Sequence, residues 1–372
     1  MMAHPQPLPL PEGIRSCFVA DVNGLNMHYL EAGWAPHGQA ARPCLLLLHG
    51  FPELAYSWRK IMPALAAAGF HVIAPDQRGY GATLGWSSDY DGDLTPFRML
   101  NLVEDALALL ARLGIPFVRA VIGHDFGAPV AGWCALTRPD VFRRVAMMSA
   151  PFTGAPASLA GTLQLMNDLR HLPDPREHYQ AYYGFREANA NMQHAPQGLR
   201  DFLRAYYHVK SADWSGNHPR PLAAATATEL AKLPTYYVMH RGMGMAETVA
   251  PHMPDALATA NCQWLPEKEL AVYVKEYERT GFQGGLQWYR CGLDHSHAQA
   301  LMTHAQRTVD VPACFISGAS DWGTYQSPGA FEKMQAQTCT DMRQVNLIAG
   351  AGHWVQQEQP GAVTHALLRF LT

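Results

Sequence analysis

Ala120-Val121-Ile122-Gly123-His124-Asp125-Phe126-Gly127-Ala128 joins an apolar run over residues 117–122 to an Ala-rich helical pattern through Gly-His-Asp-Phe-Gly. Glycines on both flanks of a polar residue mark a sharp strand-to-helix turn, with little room for neighbouring Cβ atoms. Such a turn lifts Asp125 out of a sheet and sets it before a helix N-terminus. A carboxylate there cannot pass a proton to a base as a serine does, but it can attack a saturated carbon directly. The plainer alternative is a loop aspartate that caps the following helix.

Working outward, residues 43–49 form a continuous apolar run, as expected of a strand buried on both faces, and 71–75 form another. Residues 61–68 read as a helix. Residues 99–113 are apolar at helical spacing and stop at Gly114. A helix to Thr137 and a strand over 144–150 follow the turn. Before all of these, 17–22, Asn23-Gly24 and 26–30 read as a hairpin, because Asn-Gly is the preferred two-residue turn between twisted strands. Residues 1–13 are Pro-rich and read as a surface arm. Residues 152–300 show no clear buried strand, several helical segments and 10 of the 15 tyrosines. Alternation resumes with a strand at 311–317, a helix near 328–337, a strand at 345–348 and a helix over 360–371. The expected architecture is an α/β core in two parts, 1–151 and 301–372, with a mostly parallel sheet covered on both faces. A helical insertion over 152–300 separates the parts.

Composition narrows the function. The 372 residues are 48% hydrophobic, so a sizeable core can be buried. The formal charge is −3 with no basic run, which gives nucleic-acid binding no electrostatic support. Apolar stretches such as 44–48 are too short to span a bilayer, and the N-terminal residues lack the charged and apolar regions of a signal peptide. Seven scattered cysteines, an odd number, suit buried thiols in a reducing compartment, and a cytoplasmic protein is expected.

Three more stretches belong with Asp125. Leu48-His49-Gly50-Phe51-Pro52-Glu53 follows a buried strand. The backbone N–H groups of Phe51 and Phe126 are placed to form an oxyanion hole. Ser317-Gly318-Ala319-Ser320-Asp321-Trp322 puts a carboxylate at the carboxyl end of the sheet, where ligands of open α/β sheets bind. Ala349-Gly350-Ala351-Gly352-His353-Trp354 carries an imidazole on a glycine-rich loop. The chain order Asp125, Asp321, His353 is that of nucleophile, acid and base.

On these motifs the chain resembles the epoxide hydrolases of the α/β-hydrolase superfamily. His49-Gly50-Phe51-Pro52-Glu53, Asp76-Gln77-Arg78-Gly79-Tyr80-Gly81, Gly123-His124-Asp125-Phe126-Gly127, Ser320-Asp321 and Gly352-His353-Trp354 match the core. In the insertion, His178-Tyr179-Gln180 and the segment from Gly281 to Arg290 resemble the family's two tyrosine-bearing segments. The resemblance runs from about residue 15 to the C-terminus. One departure is the 196 positions between Asp125 and Asp321, with 210–261 read as an inserted stretch that bears on the pocket or the oligomer, a homodimer included.

The resemblance implies that Asp125 attacks an epoxide carbon and forms an alkyl-enzyme ester. Tyr179 and Tyr289 would donate to the departing oxygen as general acids. His353, held by Asp321, would activate water to hydrolyse the ester. Trp322, Pro52 and Gln180 are expected along the pocket of a small hydrophobic epoxide. The mechanism requires no metal or organic cofactor and implies no nucleic-acid or membrane partner.

Other features read as structural. Asp294-His295-Ser296-His297 has too few ligands at a telling spacing for a metal site. Tyr182, Tyr183, Tyr206 and Tyr207 read as packing, Arg78 as part of a strand-end turn, and His49 and His124 as braces for their loops. A haloalkane or haloacid dehalogenase uses a similar Asp–His pair, but halide departure gains nothing from tyrosine proton donors, and such enzymes commonly place Trp or Arg where this chain has Phe126. A non-catalytic ligand receptor on the same fold is set against the intact Asp125, Asp321 and His353 set. An ester or lactone hydrolase would want Ser at the turn.

Overall fold

The computed structural model describes residues 8–35, 40–156 and 159–372. Its strands are β1 (Ile14–Val22), β2 (Leu25–Ala32), β3 (Cys44–Leu48), β4 (His71–Pro75), β5 (Ala120–His124), β6 (Val145–Met148), β7 (Arg176–His178), β8 (Val238–His240), β9 (Ala313–Gly318) and β10 (Met342–Ile348). Eight of them form one sheet in the order β1-β2-β4-β3-β5-β6-β9-β10. The β1–β2 and β2–β4 pairs are antiparallel, and the rest are parallel.

The apolar runs that announce the central strands are sorted by the two-residue pleat into two cores. Leu46, Leu48, Val121, Val145, Met147 and Phe315 face the helices Met99–Arg112 and Gly127–Thr137 and the inserted segment. Leu45, Leu47, Ala120, Ile122, Ala146, Met148 and Ile316 face the helices Met62–Ala67 and Pro360–Leu371. Burying a side chain of this size stabilises by about 1.5–3 kcal/mol relative to exposure, which favours continuous apolar strands where both faces are covered. At the edge, β10 alternates half-buried and exposed residues instead.

Parallel pairing aligns the strand ends. Leu48 pairs with Gly123, His124 with Met148, and Met148 with Ile316. The loops that leave β3, β4, β5, β6, β9 and β10 therefore open on one rim, and the matched motifs of the core lie in them.

Several expectations shift. The hairpin turns at Asn23 and Gly24, both at positive φ (48° and 80°), but its strands are longer than the patterning suggested. The run over 117–122 becomes strand only at Ala120, and Phe117 stays half exposed. The helix expected near 328–337 is a short helix, Ala330–Lys333, followed by a π turn, Met334–Thr338. The insertion is not free of strands: β7 and β8 pair antiparallel, and Glu177, His178, Val238 and Met239 are buried. Three residues per strand are too few for periodicity to reveal. Of the Pro-rich arm, residues 1–7 lie outside the described residues, whereas Leu8 and Leu10 are half-buried against the core. None of the described helices is long and apolar enough to cross a membrane.

Candidate active site

Asp125 sits at the end of β5 with φ 51°, in the left-handed region. Such a conformation costs of order 1–3 kcal/mol in a non-glycine residue and persists only where the surroundings over-determine it. They do so here through glycine. A Cβ on Gly123 would strike the carbonyl of Gly127, and a Cβ on Gly127 would strike the carbonyl of Leu48. The Asp125 carboxylate does not cap the following helix, which has no side-chain cap. Instead Oδ1 accepts the Phe51 N–H at 2.8 Å, and Oδ2 lies 3.3 Å from His353 Nε2.

His353 reaches the site on the loop after β10. Its own N–H donates to the carbonyl of Lys210 at 2.8 Å. Glu358 accepts the N–H groups of Gly352, Trp354 and Ala212 at 2.8–2.9 Å and so fixes the loop. His353 Nδ1 is 3.1 Å from Asp321 Oδ1 and 3.0 Å from Ser149 Oγ. Ser149 donates a short hydrogen bond to Asp321 Oδ2, which also accepts from Ser317 at 3.1 Å. With an acceptor-only carboxylate on Nδ1, the ring carries its proton there and turns Nε2 toward Asp125. Ser149 itself sits at φ 72°. Of the four non-glycine residues at positive φ among the described residues, two therefore meet at this site.

The electrostatics follow from burial and neighbours. Burial alone would push the Asp125 carboxyl up. The His353 imidazole 3.3 Å away, with the charges of Lys210 and His124, outweighs it and holds the group well below the usual carboxylate range. Burial and Lys210 pull His353 down, but Asp321 and Asp125 outweigh them and raise it. Asp321 is lowered: burial is outweighed by His353, Ser149 and the Gly323 N–H.

Tyr179 opens the short helix Tyr179–Tyr183, directly after β7, and Tyr289 lies in the helix Gln283–Gly292. The Tyr289 ring is edge-on to Phe51 (5.5 Å) and Phe126 (5.0 Å), and 6.0 Å from the Tyr179 ring. Burial first and the Asp125 charge second raise both phenols well above their ordinary value, so both stay protonated. The Tyr179 hydroxyl donates to Gln326 at 3.0 Å and accepts from Gln180 at 3.2 Å. Pro52 is buried, with its carbonyl taken by the Tyr207 hydroxyl at 2.6 Å. Trp322 is buried beside Asp321, and its Nε1 has no hydrogen-bond partner among the described residues.

His124 pairs with fully buried Glu53 at 2.5 Å and with the His353 carbonyl at 2.7 Å. His49 holds the Gly50 carbonyl and the Gln77 N–H. Both histidines tie the core loops together. Arg78 is spent on a buried ion pair with Asp105. Asp294 caps its own helix by accepting the His297 N–H.

Sequence reasoning missed Ser149, Gln326 and, above all, Lys210. The last ends the helix Leu199–Lys210, yet it is only 3% exposed. Its ammonium lies 4.9–5.9 Å from the rings of Tyr179, Tyr206, Tyr236, Tyr237 and Trp354, and no carboxylate is within ion-pair distance among the described residues. Tyr236 and Tyr237 belong to the long stretch 210–261, so that stretch builds part of the cage. A lysine at a helix end reads as solvated, and no local signal separates this one.

Comparison with known proteins agrees with this geometry. The α/β hydrolase fold family matches residues 43–360. Epoxide hydrolase A of Mycobacterium tuberculosis (strain ATCC 25618 / H37Rv) is 33% identical over 95% of this chain and 96% of its own length. The epoxide hydrolase of Caballeronia sordidicola is 29% identical over 96% and 94%. Among solved structures, the epoxide hydrolase from an endophytic Streptomyces superposes with a TM-score of 0.77 at 29% identity, covering 97% of this chain and 96% of the other. Epoxide hydrolase A from Mycobacterium thermoresistibile gives 0.75 at 32%, covering 96% and 98%. The parallel sheet, the glycine-flanked aspartate at its rim and these likenesses lead to one conclusion: the chain belongs to the epoxide hydrolases of the α/β-hydrolase superfamily.

Proposed function

We propose that this enzyme hydrolyses a small hydrophobic epoxide to a vicinal diol, with Asp125 as nucleophile and His353 as base. The observation that carries the assignment is the line Phe51 N–H, Asp125, His353, Asp321, in which each group has one task. Asp125 Oδ2 attacks an epoxide carbon, and the ring C–O bond breaks. Tyr179 and Tyr289 donate to the oxygen as its charge develops, because an alkoxide is a poor leaving group. Esterification removes the negative charge of Asp125, one of the two that raise His353. Burial and Lys210 then pull the imidazole down, and it releases its proton as the substrate oxygen gains one. Neutral His353 takes a proton from water, and the hydroxide attacks the Asp125 carbonyl carbon. The tetrahedral oxyanion forms at Oδ1, beside the N–H groups of Phe51 and Phe126. Its collapse breaks the ester bond, and the diol leaves with the proton held by His353.

The helical segment over 152–300 is read as a cap over this rim, with the core in two parts at 1–151 and 301–372. Trp322, Pro52 and Gln180 are read as pocket residues. All seven cysteines are free thiols, which supports a cytoplasmic setting. The two lid tyrosines favour an epoxide over a haloalkane, since a departing halide needs no proton.

His353→Gln separates the two chemical steps. Mixed with a styrene-oxide-type substrate, the variant should gain the mass of one substrate by intact-protein mass spectrometry, and its turnover should fall about 10²–10⁴-fold. Wild-type-like turnover by this variant would remove His353 as the base.

A further inference from the structure

Far along the sheet from Asp125, a serine, a histidine and an aspartate lie on three neighbouring strands. Ser16 is on β1, His28 on β2, and Asp76 directly follows β4. Ser16 pairs with Leu30, so His28 is its diagonal neighbour on the same face. Ser16 Oγ is 2.8 Å from His28 Nε2, and His28 Nδ1 is 2.7 Å from Asp76 Oδ2. Asp76 also accepts the Ala55 N–H at 2.8 Å and the Ala82 N–H at 3.0 Å, which fixes its carboxylate. Burial pushes that carboxyl up, but His28, His49 and the Ala82 N–H hold it down at about 2. An ionised Asp76 leaves the proton on Nδ1 and a lone pair on Nε2, aimed at the Ser16 hydroxyl.

This relay ends at a cavity. His28 and Asp76 are buried, whereas Ser16 is exposed. All three line a cavity of about 260 Å³ whose other walls include Leu8, Leu10, Phe18, Leu54 and Tyr56. The relay thus ends on an exposed serine at a largely apolar wall that also carries Glu276. The backbone supplies a further element. The Asp76 N–H donates to the His28 carbonyl, so the main-chain groups of His28 face β4. Alternation then turns Tyr29 toward Cys17, and leaves the Ser16 N–H facing the open edge of the sheet.

We propose that Ser16, His28 and Asp76 form a second hydrolytic centre, independent of Asp125, which acts on esters with a short apolar acyl chain. Ser16 Oγ attacks the ester carbonyl as His28 Nε2 takes its proton. The oxyanion forms beside the Ser16 N–H. The C–O bond to the alcohol breaks, and the alcohol leaves with the proton from His28. Water, deprotonated by His28, then hydrolyses the acyl-Ser16 ester and releases the acid. Leu10, Phe18 and Leu54 provide the surface for the acyl chain.

The test uses the full chain. A fluorophosphonate probe, followed by peptide mass spectrometry, should label Ser16 in the wild type and in Asp125→Asn. Hydrolysis of p-nitrophenyl butyrate should persist in Asp125→Asn and fall at least about 10²-fold when Ser16→Ala is added. Ser16→Ala alone should keep diol formation from an epoxide unchanged, which also reports that the variant folds. Failure of the probe to mark Ser16, or ester hydrolysis that ignores Ser16→Ala, overturns the proposal and leaves the epoxide assignment untouched.

Discussion

The sheet rim and the inserted segment hold their chemical groups by different means. On the rim, Asp125, Ser149, Asp321 and His353 leave the ends of β5, β6, β9 and β10, and each is fixed by hydrogen bonds to backbone or carboxylate. In the insertion, Tyr179, Tyr289 and Lys210 lie on helices and are held largely by ring contacts: Tyr183 packs at 4.9 Å on Tyr289 and at 5.5 Å on Tyr179, and Lys210 sits among five rings. Aromatic contacts are broad and tolerate small shifts, whereas charged hydrogen bonds are short and directional. In the proposed mechanism the steps that make and break carbon–oxygen bonds fall to the stiffer half, and donation to oxygen, which must follow the shape of the substrate, falls to the more adaptable one.

Loss of a rim group should cost most. Asp125→Ala removes the atom that attacks, so diol formation should drop at least about 10⁴-fold and no covalent adduct should form, as read by product analysis and intact mass. Residual turnover at a tenth of wild type would break the contrast at once. Loss of both tyrosine hydroxyls should cost less. The Tyr179→Phe/Tyr289→Phe variant should lose about 3–5 kcal/mol of transition-state stabilisation, or about 10²–10⁴-fold in diol formation, and either single change should cost less because the other donor remains. Near-normal activity in the double variant, or rapid halide release from a haloalkane by the wild type with no diol from any epoxide, would move the chemistry away from the tyrosines.

The smallest effect sharpens the comparison by acting from the inserted segment on the rim. Lys210 lowers both Asp125 and His353. Lys210→Met leaves Asp125, Asp321, His124, Glu53 and Glu358 as the charged and titratable groups around His353, beside the phenols of Tyr179, Tyr206, Tyr236 and Tyr237; burial pushes the Glu358 carboxyl up to about 8 in either variant. Without the ammonium the imidazole should keep its proton to higher pH. Breakdown of the alkyl-enzyme needs neutral His353, so its acidic limb should move to higher pH, measured by single-turnover decay of the adduct. Lys210→Arg should restore the limb. An unmoved limb in Lys210→Met would confine Lys210 to packing.

The glycines around Asp125 show how a site is written into a sequence. Gly123 and Gly127 are required by close backbone approaches, and a strand-to-helix turn of that kind has few alternatives. The apolar runs of β3, β4 and β5 were legible for a similar reason, because a strand covered on both faces tolerates little but apolar side chains. Less was legible in the insertion. β7 and β8 are three residues each, and their pairing joins positions about sixty apart, so neither length nor period announces them.

From sequence alone come the alternating core and the order Asp125, Asp321, His353, because each depends on residue types that local geometry demands; the two tyrosine-bearing segments came from the family resemblance. Tertiary structure alone decided that Ser149 bridges His353 and Asp321, that Lys210 is buried in an aromatic cage, and that Ser16 meets His28 and Asp76 across three strands. Serines and lysines carry no local mark of such a role. Their chemistry is set by the partners that strand register and packing bring to them, and those partners are distant in the chain.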